Sequence, residues 1–335
     1  MFEFHPAITF IVGPNSVGKT NTLESIFFIM TGSGIKEEKQ EELLQFAEPV
    51  TIIKSTCKDG QDTISFDCIL ERSESGVVKK YFINQVPKSS YAYNQQTIPV
   101  VFFAPQRIEH LTRSPSSRRR LIDSIIGKYD PLYKKHLNSY STSLTKRNKI
   151  LERGGSQEYP RQQLQFWDDY LLQHATYVTA ARKTFVEMIN TKKMVPSLEF
   201  SVAYEPNIFS HDRLAETFEK QIRYRSTVIG PQRDDVDILF KKTEDAQKEQ
   251  SVLTYGSRSQ QRLALLWINF FELDIYKEKL DRNPLLLLDD VFSELDEQNK
   301  ELLLHVITSY QTIITTNDGT IARHAPEEHG VITLK

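Results

Sequence analysis

Two stretches of this chain bring together residue types that could handle a phosphate chain. Residues Gly13 to Thr20 read GPNSVGKT, which fits GxxxxGK[ST]. In that pattern successive backbone N–H groups and a helix N-terminus face an anion, where unpaired donors and the helix dipole favour negative charge. Lys19 is placed for the β and γ phosphates, and the Thr20 hydroxyl for a magnesium ion. The expected nucleotide contacts are Gly13, Pro14, Asn15, Ser16, Val17, Gly18, Lys19, Thr20 and Asn21, with Mg²⁺ beside the phosphates. Far downstream, PLLLLDDVFSELD (Pro284 to Asp296) drives four leucines into two adjacent aspartates. A carboxylate that ends a buried strand beside a phosphate loop is the usual metal anchor, which assigns that role to Asp289. Asp290 follows directly and points elsewhere, where an acid can orient or deprotonate the water attacking the γ-phosphate. Either aspartate alone would read as the start of a loop; the phosphate loop upstream gives the pair its meaning.

Such residues need strands and helices to hold them. ITFIV before the glycine loop is a buried-strand run, and the segment after it carries Leu23, Ile26, Phe27 and Met30 at helical spacing. Short alternating strands follow (VTIIKSTC, TISFDCIL, VVKKYFI, VVFF), with turns at Asp59-Gly60 and Ser75-Gly76. From Ser116 to about Arg225 the pattern is helical, broken at Gly154-Gly155 and holding one strand, LEFSVAY. The last third returns to strands and helices: GPQRDD, a polar stretch near 241 to 250, a strong helix from about Ser259 to Lys277, the strand LLLLDD, a helix and the strand TIITT. The expected fold is an α/β head made from both ends of the chain (residues 1–112 and 227–335), with an inserted helical arm at 113–226.

The 335 residues are 39% hydrophobic and 26% charged, an ordinary globular balance. No run approaches the roughly 18 apolar residues of a membrane span, and no leader is recognisable, so a cytoplasmic protein with no membrane partner is expected. Cys57 and Cys68 are expected on paired strands, with Cys57 opposite about residue 62 and both thiols reduced. The two tryptophans, Trp167 and Trp267, lie on apolar helical stripes and read as core. Lys and Arg number 42 against 44 Asp and Glu, formally −2, so any contact with nucleic acid must use a local patch. One patch spans Leu111 to Arg153, with 11 basic residues against three acids. It is either a solvated helical face or a surface for the phosphate backbone of DNA. The candidate DNA contacts are Arg118, Arg119, Arg120, Lys146, Arg147 and Lys149, with one of the three consecutive arginines expected to pair with an acid such as Asp123. Arg233, Asp234 and Asp235 suit either a buried ion-pair network or a DNA or nucleotide contact.

The second-half motifs select among phosphate-loop families. SELD (Ser293 to Asp296) resembles the D-loop of ABC-type ATPases, and YGSRSQQRLALLWINFFEL resembles their signature segment in its SMC and RecF form. The SPSSRRRLID block, GPQRDD and LLLLDDVFSELD together are similar to the RecF family over nearly the whole chain. The resemblance implies an ABC-type P-loop ATPase head, an ATP-dependent homodimer with nucleotide sandwiched between subunits, and binding to double-stranded DNA or to junctions of single- and double-stranded DNA. It also implies a RecR-type partner, assistance in recombinase loading, and slow ATP hydrolysis that releases the clamp. On the same resemblance Gln106 contacts the metal and the attacking water, Asn317 stands at the switch position, and Ser257, Gln260 and Asp296 act across the dimer interface.

The chain departs from the family pattern at several points. It begins at MFEFHP without the NFR-like strand such proteins usually carry first, which suggests a shortened or divergent member and leaves base preference open. Gln232 replaces the histidine of GPHRDD, Ser259 replaces a glycine, and GSGIKEEKQEE replaces a basic loop. Two rivals to a clamp are an SMC-like structural head, for which the insert is too short to form a long heptad coiled coil, and a nucleotide-binding scaffold with little hydrolysis. A transporter cassette is disfavoured because LSGGQ is missing.

Overall fold

A computed structural model of the chain describes residues 1–35, 44, 48–59, 62–74, 76–153, 161–194, 198–242, 249–325 and 328–335. The expected break at Gly154-Gly155 and most of the acidic GSGIKEEKQEE segment lie outside the described residues. In chain order the strands and helices are β1 (Ile8–Val12), α1 (Lys19–Thr31), β2 (Val50–Asp59), β3 (Asp62–Ser73), β4 (Gly76–Ile83), β5 (Val86–Lys88), α2 (Ser90–Asn94) and β6 (Val100–Phe103). There follow α3 (Glu109–Thr112), α4 (Pro115–Tyr129), α5 (Pro131–Arg153), α6 (Arg161–Ile189), β7 (Leu198–Glu205), α7 (His211–Glu216), α8 (Phe218–Tyr224), β8 (Asp235–Lys242) and β9 (Gln250–Ser251). The chain closes with α9 (Val252–Tyr255), α10 (Arg258–Leu280), β10 (Leu285–Asp289), α11 (Glu297–Ile307), β11 (Gln311–Thr316) and β12 (His329–Thr333). They form two compact units, residues 1–105 with 276–335 and residues 106–275.

The first unit holds a parallel sheet in the order β12-β1-β11-β10-β6. Strands buried on both faces need continuous apolar runs, which is why ITFIV, VVFF, LLLLD and TIITT sit here. An antiparallel sheet, β2-β3-β4-β5, alternates buried and half-buried residues along the middle of β3. Helix α1 shares a core with both sheets through Leu23, Phe28 and Ile29, packed with Phe66, Leu70, Phe102 and Leu287. Its C-terminus is tied down by two tyrosines, Tyr81 donating to the carbonyl of Gly32 at 2.8 Å and Tyr93 to that of Ile29 at 2.5 Å. Asp59 pairs with Asp62 and Cys57 faces Ile64, where residue 62 was expected; Gly60, of the expected turn, lies outside the described residues. Both thiols are free, as their strand positions required.

The second unit pairs the long helices α5 and α6 and packs α4 against β8 of an antiparallel sheet, β7-β8-β9. It reaches past the expected arm of 113–226 because β8 pairs along its whole length with β7 and α10 begins within it. Trp267 is fully buried against Phe200, its indole N–H donating to the carbonyl of Lys192 at 2.9 Å. Trp167 is not core: it is half-buried, with the Lys146 ammonium 5.0 Å from its ring.

Candidate nucleotide site

The loop between β1 and α1 is built for close backbone approach. A side chain at Gly13 would lie 2.7 Å from the carbonyl oxygen of Leu334, and Gly18, with φ 95°, occupies the left-handed region that glycine enters without steric cost. Ser16 is also left-handed, at φ 68°. No acid sits in the first turn of α1, so its N-terminal N–H groups keep their full positive end for an anion. Pro14, Asn15, Ser16, Thr20 and Asn21 are exposed, while Val17, Gly18 and Lys19 are half-buried and Gly13 is buried. The Lys19 ammonium folds back on the loop, donating to the carbonyls of Gly13 at 2.8 Å and Pro14 at 2.7 Å. A cation held by two neutral carbonyls is free to exchange them for phosphate oxygens.

Asp289 closes the site from the end of β10. It is buried, and the Thr20 hydroxyl reaches its two carboxylate oxygens at 3.1 and 3.0 Å. Thr315 on β11, directly opposite Asp289 in the sheet, donates to the same carboxylate at 2.6 Å. Among the described residues no lysine or arginine pairs with Asp289, so a buried carboxylate is met only by hydroxyls. That donor set fits a hard divalent cation, which takes oxygen ligands. Asp290 is half-buried with φ 46° and ψ 40°, rare for a residue with a side chain, and its carbonyl accepts from Ser293 at 3.0 Å. Sequence reasoning found the strand of Thr315 but not its part here; the signal was a hydroxyl in the strand that sits beside the aspartates.

The remaining expected site residues are placed as follows. Gln106 is exposed in the short 3₁₀ turn Pro105–Ile108, and Asn317 is exposed just past β11. Ser257 and Gln260 form a reciprocal cap of α10: the Ser257 N–H donates to the Gln260 side chain at 2.8 Å, and the Gln260 N–H donates to the Ser257 hydroxyl at 3.3 Å. Asp296 caps α11 by accepting from the Asn299 N–H at 2.9 Å.

The basic stretch divides sharply. Arg147 is 1% exposed and pairs with Asp168 at 2.5 Å, Gln221 at 2.6 Å and Thr227 at 2.9 Å, so its assignment to DNA is corrected. It lies on the buried stripe of α5 with Tyr133, Tyr140 and Leu151, a spacing that would have exposed it in the sequence. Arg118 is likewise buried, donating to the Val236 carbonyl and pairing with Asp235 at 3.2 Å. Arg119 is half-buried and donates to the Asp234 carbonyl; burial, with Arg182 nearby, lowers its pKa. Arg120, Lys146 and Lys149 are exposed.

The acid Asp123 pairs with Arg182, not with the arginine triplet. Arg182 also pairs with the fully buried Asp234 at 2.7 Å, and Asp234 accepts in addition from Tyr204 at 2.6 Å and the Asn207 N–H at 2.7 Å. Of Arg233, Asp234 and Asp235, Asp234 thus joins a buried ion-pair network, one of the two readings, while Arg233 and Asp235 are exposed. Gln232 accepts from the Tyr140 hydroxyl and donates to the Ile229 carbonyl at 2.8 Å, an amide doing both jobs at once.

The family model described as the RecF/RecN/SMC N terminal domain matches residues 1–334. The DNA replication and repair protein RecF of Lachnospira eligens is 31% identical over 325 residues, covering 93% of this chain and 87% of that one. The protein of the same description from Alkaliphilus oremlandii is 29% identical, covering 98% and 92%. Among solved structures, that of the recombination mediator protein RecF-ATPrS in the RecFOR pathway aligns with a TM-score of 0.78 at 25% identity, covering 96% of this chain and 89% of that one. An Smc head domain with an extended coiled coil from Pyrococcus furiosus, at 16% identity, covering 97% of this chain and 87% of that one, and a TM-score of 0.54, shares the fold. The parallel sheet, phosphate loop and inserted helices are those of an ABC-type ATPase head, and the chain belongs to the RecF family.

Proposed function

We propose that this protein is an ATP-switched DNA-binding clamp of recombinational repair. The observation that carries the reading is the contact of Thr20 with Asp289, two residues 269 positions apart that meet at 3.0 Å beside Lys19. Asp289 and Thr20 would hold Mg²⁺, which when bound neutralises charge on the phosphate oxygens. Lys19 turns from the loop carbonyls to the phosphates, and the N-terminus of α1 supports them. Asp290 orients the attacking water, with Gln106 and Asn317 completing the catalytic group. Ser257, Gln260 and Asp296 act on the nucleotide of a second subunit in an ATP-dependent homodimer. Arg120, Lys146 and Lys149 contact the backbone of double-stranded DNA or of a junction, and a RecR-type partner and recombinase loading belong to the same reading. Hydrolysis is slow and releases the clamp.

Fluorescence anisotropy of a labelled duplex, titrated with protein in Mg²⁺-ATP, Mg²⁺-ADP or no nucleotide at two salt concentrations, tests this. Tight, salt-sensitive binding with ATP alone is expected. Absence of binding in every condition, with ATP binding confirmed separately, would replace the clamp with an ATPase serving a protein partner. The SMC-like structural reading is disfavoured by the arm: α5 and α6 have 23 and 29 residues, roughly 35 and 44 Å of helix. No helix among the described residues is long and apolar enough to cross a membrane.

A further inference from the structure

Thr315 is fully buried at the centre of the parallel sheet, yet its hydroxyl faces two groups with charge or strain to manage. Its Oγ1 lies 2.6 Å from the carboxylate of Asp289 and 3.1 Å from the backbone nitrogen of Asp290. A carboxylate only accepts and an amide N–H only donates, so the direction of both bonds is fixed. The hydroxyl proton goes to Asp289, and the oxygen accepts from Asp290. The same N–H also reaches the Thr315 carbonyl at 3.2 Å, so one threonine holds the start of the Asp290 backbone by two acceptors. Asp290 needs that hold, because a left-handed backbone is costly for a residue with a side chain and persists only where its surroundings impose it.

We propose that Thr315 is a positioning residue that links metal anchoring at Asp289 to the placement of Asp290. This rests on the reading of the site as a Mg²⁺-nucleotide site. Thr20, Asp289, Thr315 and Asp290 form one unbroken hydrogen-bonded chain, in which the Asp289 carboxylate is tied through the Thr315 hydroxyl to the backbone N–H of Asp290. A reorientation of the Asp289 carboxylate when a cation binds reaches Asp290 through the Thr315 hydroxyl, without passing through the nucleotide. Residues that orient a metal ligand in this way change metal affinity or activity by about 10–100-fold when removed. A threonine that only filled space in the sheet would tolerate valine, which has the same shape.

The test compares Thr315→Val and Thr315→Ser in the full-length protein. Binding of a fluorescent ATP analogue is titrated against Mg²⁺ and repeated in EDTA, and steady-state hydrolysis supplies kcat and KM. Thr315→Val is expected to lower kcat about 10–100-fold and to raise the Mg²⁺ concentration for half-maximal binding, with EDTA binding and KM close to wild type. Thr315→Ser, which keeps the hydroxyl, is expected to restore both. If Thr315→Val does not fold, shown by circular dichroism, Thr315→Ala removes the same hydroxyl and takes its place. Unchanged kcat and Mg²⁺ dependence in the variant without the hydroxyl overturn the proposal, as does a serine variant no better than valine. Lys19→Ala is run alongside: if it still binds nucleotide normally, the site reading has failed and takes this proposal with it, a result distinct from the other two.

Discussion

Arg147 on α5 and Asp168 on α6 form an ion pair at 2.5 Å, with the guanidinium 1% exposed and two further partners in Gln221 and Thr227. Removing one member of such a pair strands a buried charge, which costs about 3–5 kcal/mol. Arg147→Ala is expected to lower stability by that amount in urea denaturation. An unchanged midpoint would show that Asp168 finds solvent or another partner at little cost.

Lys146 and Lys149 flank that arginine on the solvent side of α5. Each substitution to alanine is expected to weaken duplex binding equally on all sequences and to reduce the slope of log K against log salt by about one. Stability should barely change. If the lysine variants bind as wild type across a salt series, the arm is a solvated face.

Lys19→Ala is expected to abolish ATP binding, because it removes the cation that exchanges the loop carbonyls of Gly13 and Pro14 for phosphate oxygens. Asp290→Asn is expected to bind ATP normally and to accumulate as a dimer without turnover. Calorimetry and size-exclusion chromatography in ATP read the two effects, and normal turnover by the Asp290 variant would remove it from the mechanism.

His174 on α6 is buried, with its Nδ1 3.0 Å from that of His136, and its ring lies against Tyr170. Tyr177 stacks on His136. Burial, then His136 and Lys135, lower the His174 pKa below its ordinary value. The unfolded chain therefore binds a proton that the folded one resists, so stability is full above about pH 6.5 and declines as pH falls below it. Thermal melts from pH 7.5 to 5.0 should show that decline, and His174→Phe should reduce it. Equal slopes in the two proteins would place the pH response elsewhere.

Local motifs were legible because their chemistry is local. GPNSVGKT and LLLLDD announced a strand, a turn and the groups to be held, and the structure brings Thr20 to Asp289. Charge was less legible, because a count of lysines and arginines ignores helical phase. Arg118 shares a stripe with Leu121, Ile122 and Ile125, and Arg147 shares one with Tyr140 and Leu151, so each faces inward despite its basic surroundings. Their partners, Asp235, Asp168 and Gln221, come from segments whose approach only the tertiary fold decides. The role of Thr315 was hidden for the same reason: it depends on register across a parallel sheet, and no short-range pattern encodes that.

Among the described residues strand β1, which launches the phosphate loop, hydrogen-bonds to β11 and β12, both far downstream in the sequence. During synthesis, therefore, β1 leaves the ribosome long before either of the strands that cover its edges. Exposed strand edges invite mispairing, so this arrangement leaves β1 in need of protection until β11 and β12 are made. It also ties competence to completion, since a nascent chain cut short before β11 would have no framework on which its glycine loop could take shape.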